Sequence, residues 1–300
     1  MRRAAGSALL PSAIRLEMGS ARFPQAPLNG AEMHSNFDFS ARQVIWILNF
    51  AAELVLLVVL IGRDRMRRYP FFTACIALFA LRLMAEELLA GRTAQLLYEE
   101  IILVLADMSV IMSLLVLVEL ARRAFAGAKR TSWMISTAGS LVAAGGVAIV
   151  VGPTLAWKDL VLSTIVGKLQ LMQFLALKGE VLAAVLSVEL ALLMMLFGRR
   201  YKAGWRSHTQ QIVIGLSAAA IALLSIQATV QFILKAAQAH HPAQVEAQRI
   251  FALFGKLANA NRVVYIAVLL WWIVWLWRDE PGTQQTQAAE TEMEPEVTQE

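Results

Sequence analysis

The chain has 300 residues, of which 58% are hydrophobic and 16% charged, with a formal net charge of +5. Soluble domains carry about 25% charged residues, and here the apolar residues fall in blocks of about twenty, the length that crosses a bilayer; a soluble fold is excluded. Nucleic acid is excluded as well, because Lys and Arg gather between the apolar blocks, where membrane topology puts them.

Residues 1–42 are small, polar and interrupted by Pro11, Pro24 and Pro27. Arg2 and Arg3 lead into a stretch too weakly apolar for a signal peptide. Translation is therefore expected to begin at Met33, and the segment is expected to be disordered. The first predicted span covers 43–62 and ends at Arg63, Arg65, Arg67 and Arg68. The second covers 70–90, with Pro70 suited to a first helical turn. A short acidic turn leads to the third, 98–121, which ends at Arg122, Arg123, Lys129 and Arg130. The fourth, 132–151, stops at Gly152-Pro153, a helix-ending pair. Residues 158–178 mix helical apolar spacing with Asp159, Lys168, Gln170 and Gln173. They read as an amphipathic surface helix or as an extension of the fifth span, 180–197. Arg199, Arg200, Lys202 and Arg206 follow it; the sixth and seventh spans are 210–234 and 258–277.

Three basic clusters follow the first, third and fifth spans. Seven spans put all three on one side, which the positive-inside rule makes cytoplasmic. The reading is an all-α, polytopic membrane bundle of seven transmembrane helices over 43–278, N-terminus outside, in the plasma (inner) membrane. The tail, 279–300, is acidic, has no basic residue and is expected to be disordered on the cytoplasmic side. It is too short for an output domain, so function is expected in the membrane body or in a partner.

An internal echo supports a parallel 3+1+3 repeat. Glu53 opens ELVLLVVLIGR and Glu189 opens ELALLMMLFGR, identical at seven of eleven positions. Ala106-Asp107 and Ala260-Asn261 form a weaker second match. Leu matches are cheap in such helices, so the spacing from Glu to Gly-Arg carries the signal. Parallel repeats underlie some transporters.

Ionisable residues at membrane depth are costly and face the bundle interior. Glu53, Arg82, Asp107 and Glu189 qualify. At 1.5 Å per residue Asp107 lies roughly 13 Å, and Arg82 about 12 Å, below the outer surface. An Arg82–Asp107 ion pair is expected. Glu53 shares a helix face with Asn49, one turn earlier, and without a basic partner it marks a proton-linked site. Gln227 and Gln231 form a polar row, and Arg262 enters the seventh span beside Asn259 and Asn261. Together these residues line an outward-opening cavity, or else they only staple helices together.

The last span has no Schiff-base lysine for retinal. No His-Glu-x-x-His zinc motif and no phosphate-binding loop occurs. Gly215-Leu216-Ser217 lacks the glycine and histidine of a serine nucleophile site, and His240-His241 reads as a solvated loop pair. A single cysteine, Cys75, permits no intrachain disulfide. Trp271, Trp272, Trp275 and Trp277 read as interfacial anchors. No cofactor, metal or catalytic residue is expected. The expected partners are the lipid bilayer and either a small solute or a cytoplasmic signalling protein; the second alternative makes the chain a non-catalytic sensor or assembly subunit.

Overall fold

Long runs of Leu, Val, Ala and Ile satisfy their own backbone hydrogen bonds only as helices once water is excluded, and every long described element of this chain is a helix. A computed structural model describes residues 41–90, 92–125, 139, 145–147, 163–197, 207–240 and 244–279. The helices are α1 Ala41–Gly62, α2 Arg65–Arg68, α3 Pro70–Leu89, α4 Gln95–Ala124, α5 Ile165–Phe197, α6 His208–His240 and α7 Gln244–Trp277. No strand occurs among the described residues. Five stretches, Gln43–Gly62, Gln95–Ala124, Ile165–Leu196, His208–Ala236 and Ala252–Trp277, are long and apolar enough to cross a membrane. The second predicted span is α3, which is helical but carries Arg82, Glu86 and Glu87 and falls outside that set. The fourth predicted span apart from residues 139 and 145–147, the Met33 start, the 1–42 segment as far as residue 40, and the tail beyond Asp279 lie outside the described residues.

Two boundaries differ most from expectation. From Ile165 the ambiguous stretch is one continuous helix with the fifth span, which settles it as an extension and not a separate surface helix. Likewise α7 begins at Gln244, well before 258. Hydropathy marks where lipid begins, whereas a helix ends where its backbone partners end. Polar residues such as Gln248, Arg249 and Lys256 continue the turn. A 34-residue helix is about 50 Å long, well beyond a hydrocarbon core of about 30 Å.

The helices close into a ring. α1 packs on α3, α3 on α4, α4 on α5, α5 on α6, α6 on α7, and α7 returns to α1. Their polarity follows from contacts at one end, called here the basic end. There Arg63, just past α1, pairs with Asp279, just past α7, at 3.3 Å. The start of α3 meets the end of α4 where the Phe72 N–H donates to Glu119, also at 3.3 Å. The start of α6 meets the end of α7 where His208 Nε2 lies 3.0 Å from the Arg278 carbonyl. Met194, near the end of α5, shares a buried cluster with Ile212 and Leu60. So α1, α4, α5 and α7 run toward the basic end, and α3 and α6 run away from it.

Asp64, at φ 53°, turns the chain between α1 and α2; Asp is among the few non-glycine residues that visit this region readily. The core gathers Leu56, Leu60, Phe72, Ile76, Leu120, Ile212, Leu269 and Trp272. The periphery is apolar too, with Leu196 73% and Phe232 75% exposed. A surface of that kind suits lipid, not water.

Candidate functional site

Glu53 is the most deeply buried carboxyl among the described residues, 1% exposed on the inward face of α1. Asn49 lies one turn earlier on that face and is also buried. Across from them, α7 brings the Tyr265 hydroxyl within interaction range of the Glu53 carboxyl. Neither Glu53 Oε2 nor the Tyr265 hydroxyl reaches hydrogen-bond geometry with a protein partner, and Asn49 Oδ1 has none either. α3 supplies the third wall. Cys75, buried, lies within electrostatic range of Glu53 and 3.8 Å from Ser113 of α4.

The remaining predicted residues sit further from the basic end. Arg82 does not pair with Asp107: its Nε donates to Glu86 Oε1 at 3.1 Å, one turn along the same helix. Depth placed Arg82 and Asp107 at similar levels, but an i,i+4 carboxylate needs no particular rotation of a neighbouring helix to be reached. Arg82 also acts electrostatically on Glu180 of α5, and Glu86 on Glu53 of α1. Asp107, Gln227 and Arg262 are half-buried on α4, α6 and α7; among the described residues no ion pair or hydrogen bond joins them to this group. Glu189 is half-buried on α5 and has interactions of its own. Glu86 thus links Glu53 and Arg82 within electrostatic range, while Asp107, Gln227 and Arg262 stand apart from them among the described residues.

Sequence reasoning missed Tyr265, Glu86 and Glu180 in this group, and it missed the polar plug at the basic end. There the Tyr69 hydroxyl and Thr209 Oγ1, both buried, lie 2.9 Å apart and tie the starts of α3 and α6 across the ring. Tyr69 offers α3 no side-chain cap. Glu119 of α4 takes that role by accepting the Phe72 N–H while Arg123 holds its other oxygen at 3.3 Å. A carboxylate at a helix N-terminus complements the dipole. Trp272 is not an interfacial anchor: it is 1% exposed and meets Phe72 edge-on at 5.1 Å. Its indole lies so close to Gly215 that a Cβ there would overlap it. Trp271 and Trp277 do face outward, and Arg63 covers the Trp277 ring at 5.1 Å.

No protein-family model matches the chain, no curated protein is detectably similar to it, and no solved structure matches its fold.

Proposed function

We propose that this is a multi-pass membrane protein that binds or moves a small solute through a polar chamber inside the helix ring. The chamber opens away from the basic end, and the basic end faces the cytoplasm. The observation that carries this reading is the contrast along the ring axis. Tyr69, Thr209, Phe72, Trp272 and Gly215 close the ring at one end, while beyond Glu53 the half-buried charges Arg82, Glu86 and Glu180 lie within electrostatic range of one another. Clustered arginines at the closed end support its cytoplasmic placement. Helix order supports the 3+1+3 repeat. Stepping three places round the ring carries α1, α3 and α4 onto α5, α6 and α7, each helix onto one of the same polarity. It also carries Glu53's helix onto Glu189's, as the repeated string requires.

Cysteine accessibility tests the chamber without knowing the solute. In a Cys75→Ser background, Gln227→Cys and Arg262→Cys are expected to react with a membrane-impermeant maleimide added outside intact cells, and Thr209→Cys with the same reagent from neither side. Labelling of positions 227 and 262 only from the cytoplasmic side, or of neither, overturns the reading.

A further inference from the structure

Three guanidinium groups from two separate chain segments converge where α7 ends. Arg63 Nη1 donates to Asp279 Oδ1 at 3.3 Å, and its guanidinium covers the Trp277 ring at 5.1 Å. Arg65 Nη2 lies 3.7 Å from the same Asp279 oxygen and 3.5 Å from the Arg278 carbonyl. Arg278 lays its own guanidinium over Trp275 at 5.7 Å. One carboxylate oxygen, on a side chain 55% exposed, thus serves two arginines, while Arg65 Nε is buried with no hydrogen-bond partner. Arg67 faces Asp64 at 3.5 Å, so four arginines meet two aspartates among the described residues of this corner. The corner is short of anion. A phosphodiester suits the deficit, because its oxygens accept from a guanidinium fork in pairs.

Two further observations point to a lipid and not to a free phosphate. Tryptophan at the end of a span marks the headgroup level, and here Trp277 and Trp275 each carry an arginine at that level. Next to them the outward faces of two packed helices are bare. Val58 and Ile61 of α1, and Leu270, Val274 and Trp277 of α7, are each half or more exposed. They recur at i, i+3 and i+4, so each set forms one stripe running toward the basic end. Acyl chains would find an apolar track that leads to a cationic rim.

We propose that the outer seam of α1 and α7 at the basic end binds one anionic phospholipid, its phosphate on Arg63 and Arg278 and its chains along those stripes. Bound there, the lipid ties the first helix of the ring to the last, beside the Asp279 pair that already joins them. The cytoplasmic leaflet is the anionic one, which agrees with the basic end facing that side. The site uses the spans and not the chamber, so cysteine labelling that overturns the chamber leaves it standing.

Native mass spectrometry of the full chain in detergent, titrated with dioleoylphosphatidylglycerol, counts bound lipid directly. One lipid is expected to bind saturably, and about tenfold more tightly than dioleoylphosphatidylcholine. Arg63→Gln and Arg278→Gln are each expected to weaken it about tenfold, as the loss of one charge-assisted pair does. Arg122→Gln removes an exposed arginine of α4, two places round the ring from α1. It is expected to change the affinity less than about twofold, since distant exposed charges are screened. Glycerol phosphate, which has the anion and no chains, is expected not to compete. Equal affinity for the two lipids overturns the proposal, as does unsaturable binding. So does a loss in Arg122→Gln as large as in Arg278→Gln, which would mean only diffuse attraction to a cationic rim. Displacement by equimolar glycerol phosphate would mean a free-anion site and overturns it too. Should Arg63→Gln fail to fold, unchanged affinity in Arg278→Gln alone overturns it.

Discussion

The two halves of the ring are built differently. Toward the basic end, polar groups are buried with partners on other helices: Tyr69 with Thr209, Glu119 with the first turn of α3, His208 with the end of α7. Toward the other end, charges stay half-exposed, and the one close ion pair there among the described residues, Arg82–Glu86, is local to its own helix. Burial follows the same division. Among the described residues the fully buried side chains of α6 all lie between positions 208 and 220, and those of α7 between 268 and 276. α4 and α5 depart from it, with Ala106 and Ser109 buried in the first half of α4 and Leu169 and Ala176 near the start of α5. Lipid gives helices no hydrophobic reason to associate, so close packing and interhelical hydrogen bonds must hold the ring. Both are concentrated at one end. A bundle pinned at one end and loose at the other can admit something between its helices without coming apart.

The sharpest way to break that contrast is Trp272→Ala. Removing an indole packed on Phe72 and Gly215 leaves a cavity, and such truncations cost about 3–5 kcal/mol. Trp271→Ala, next in sequence but outward-facing, is expected to stay within about 0.5 kcal/mol. Thermal unfolding in detergent measures both. Equal effects would mean that α7 is rotated from the orientation described here. Gly215→Ala gives an internal check: alone it overpacks the site by about 1–3 kcal/mol, whereas with Trp272→Ala already in place it is expected to be close to neutral.

Glu119→Gln comes next. The amide keeps the shape but loses the charge that complements the start of α3 and holds Arg123. A loss of about 1 kcal/mol is expected. Amide exchange in the first turn of α3 is expected to rise more than elsewhere in the ring. A uniform rise, or none, would mean that Glu119 does not cap that helix.

The spans were legible because apolar length is a one-dimensional property: a run of twenty apolar residues announces itself whatever surrounds it. Glu53 was legible for the same reason, as a carboxyl at mid-depth. What stayed hidden depends on rotation of a helix about its axis. Asp107 and Arg82 were placed at one level, but their azimuths were not, so Glu86, four residues along, was passed over. Trp272 sits among Trp271, Trp275 and Trp277 in sequence, and nothing in that string says which ring turns inward. Tyr265 reads as one more aromatic in an apolar run until α7 is seen to face Glu53. Glu119 was hidden behind Arg122 and Arg123, since a charged end to a span is what topology demands anyway.

The smallest expected effect is the most informative about the loose half. Arg82→Gln removes an ion pair whose two side chains are 30% and 31% exposed. Pairs of that kind, one turn apart on an exposed helix face, contribute about 0.3–0.5 kcal/mol. Thermal unfolding of Arg82→Gln, Glu86→Gln and the double variant isolates the coupling, and a value in that range is expected. A coupling of several kcal/mol would place the pair in a dry interior, because breaking a buried pair strands a charge and costs about 3–5 kcal/mol. In that case the half beyond Glu53 would be as closed as the basic end, and Arg82 would belong to the packing that holds the ring together and not to the wall of a chamber.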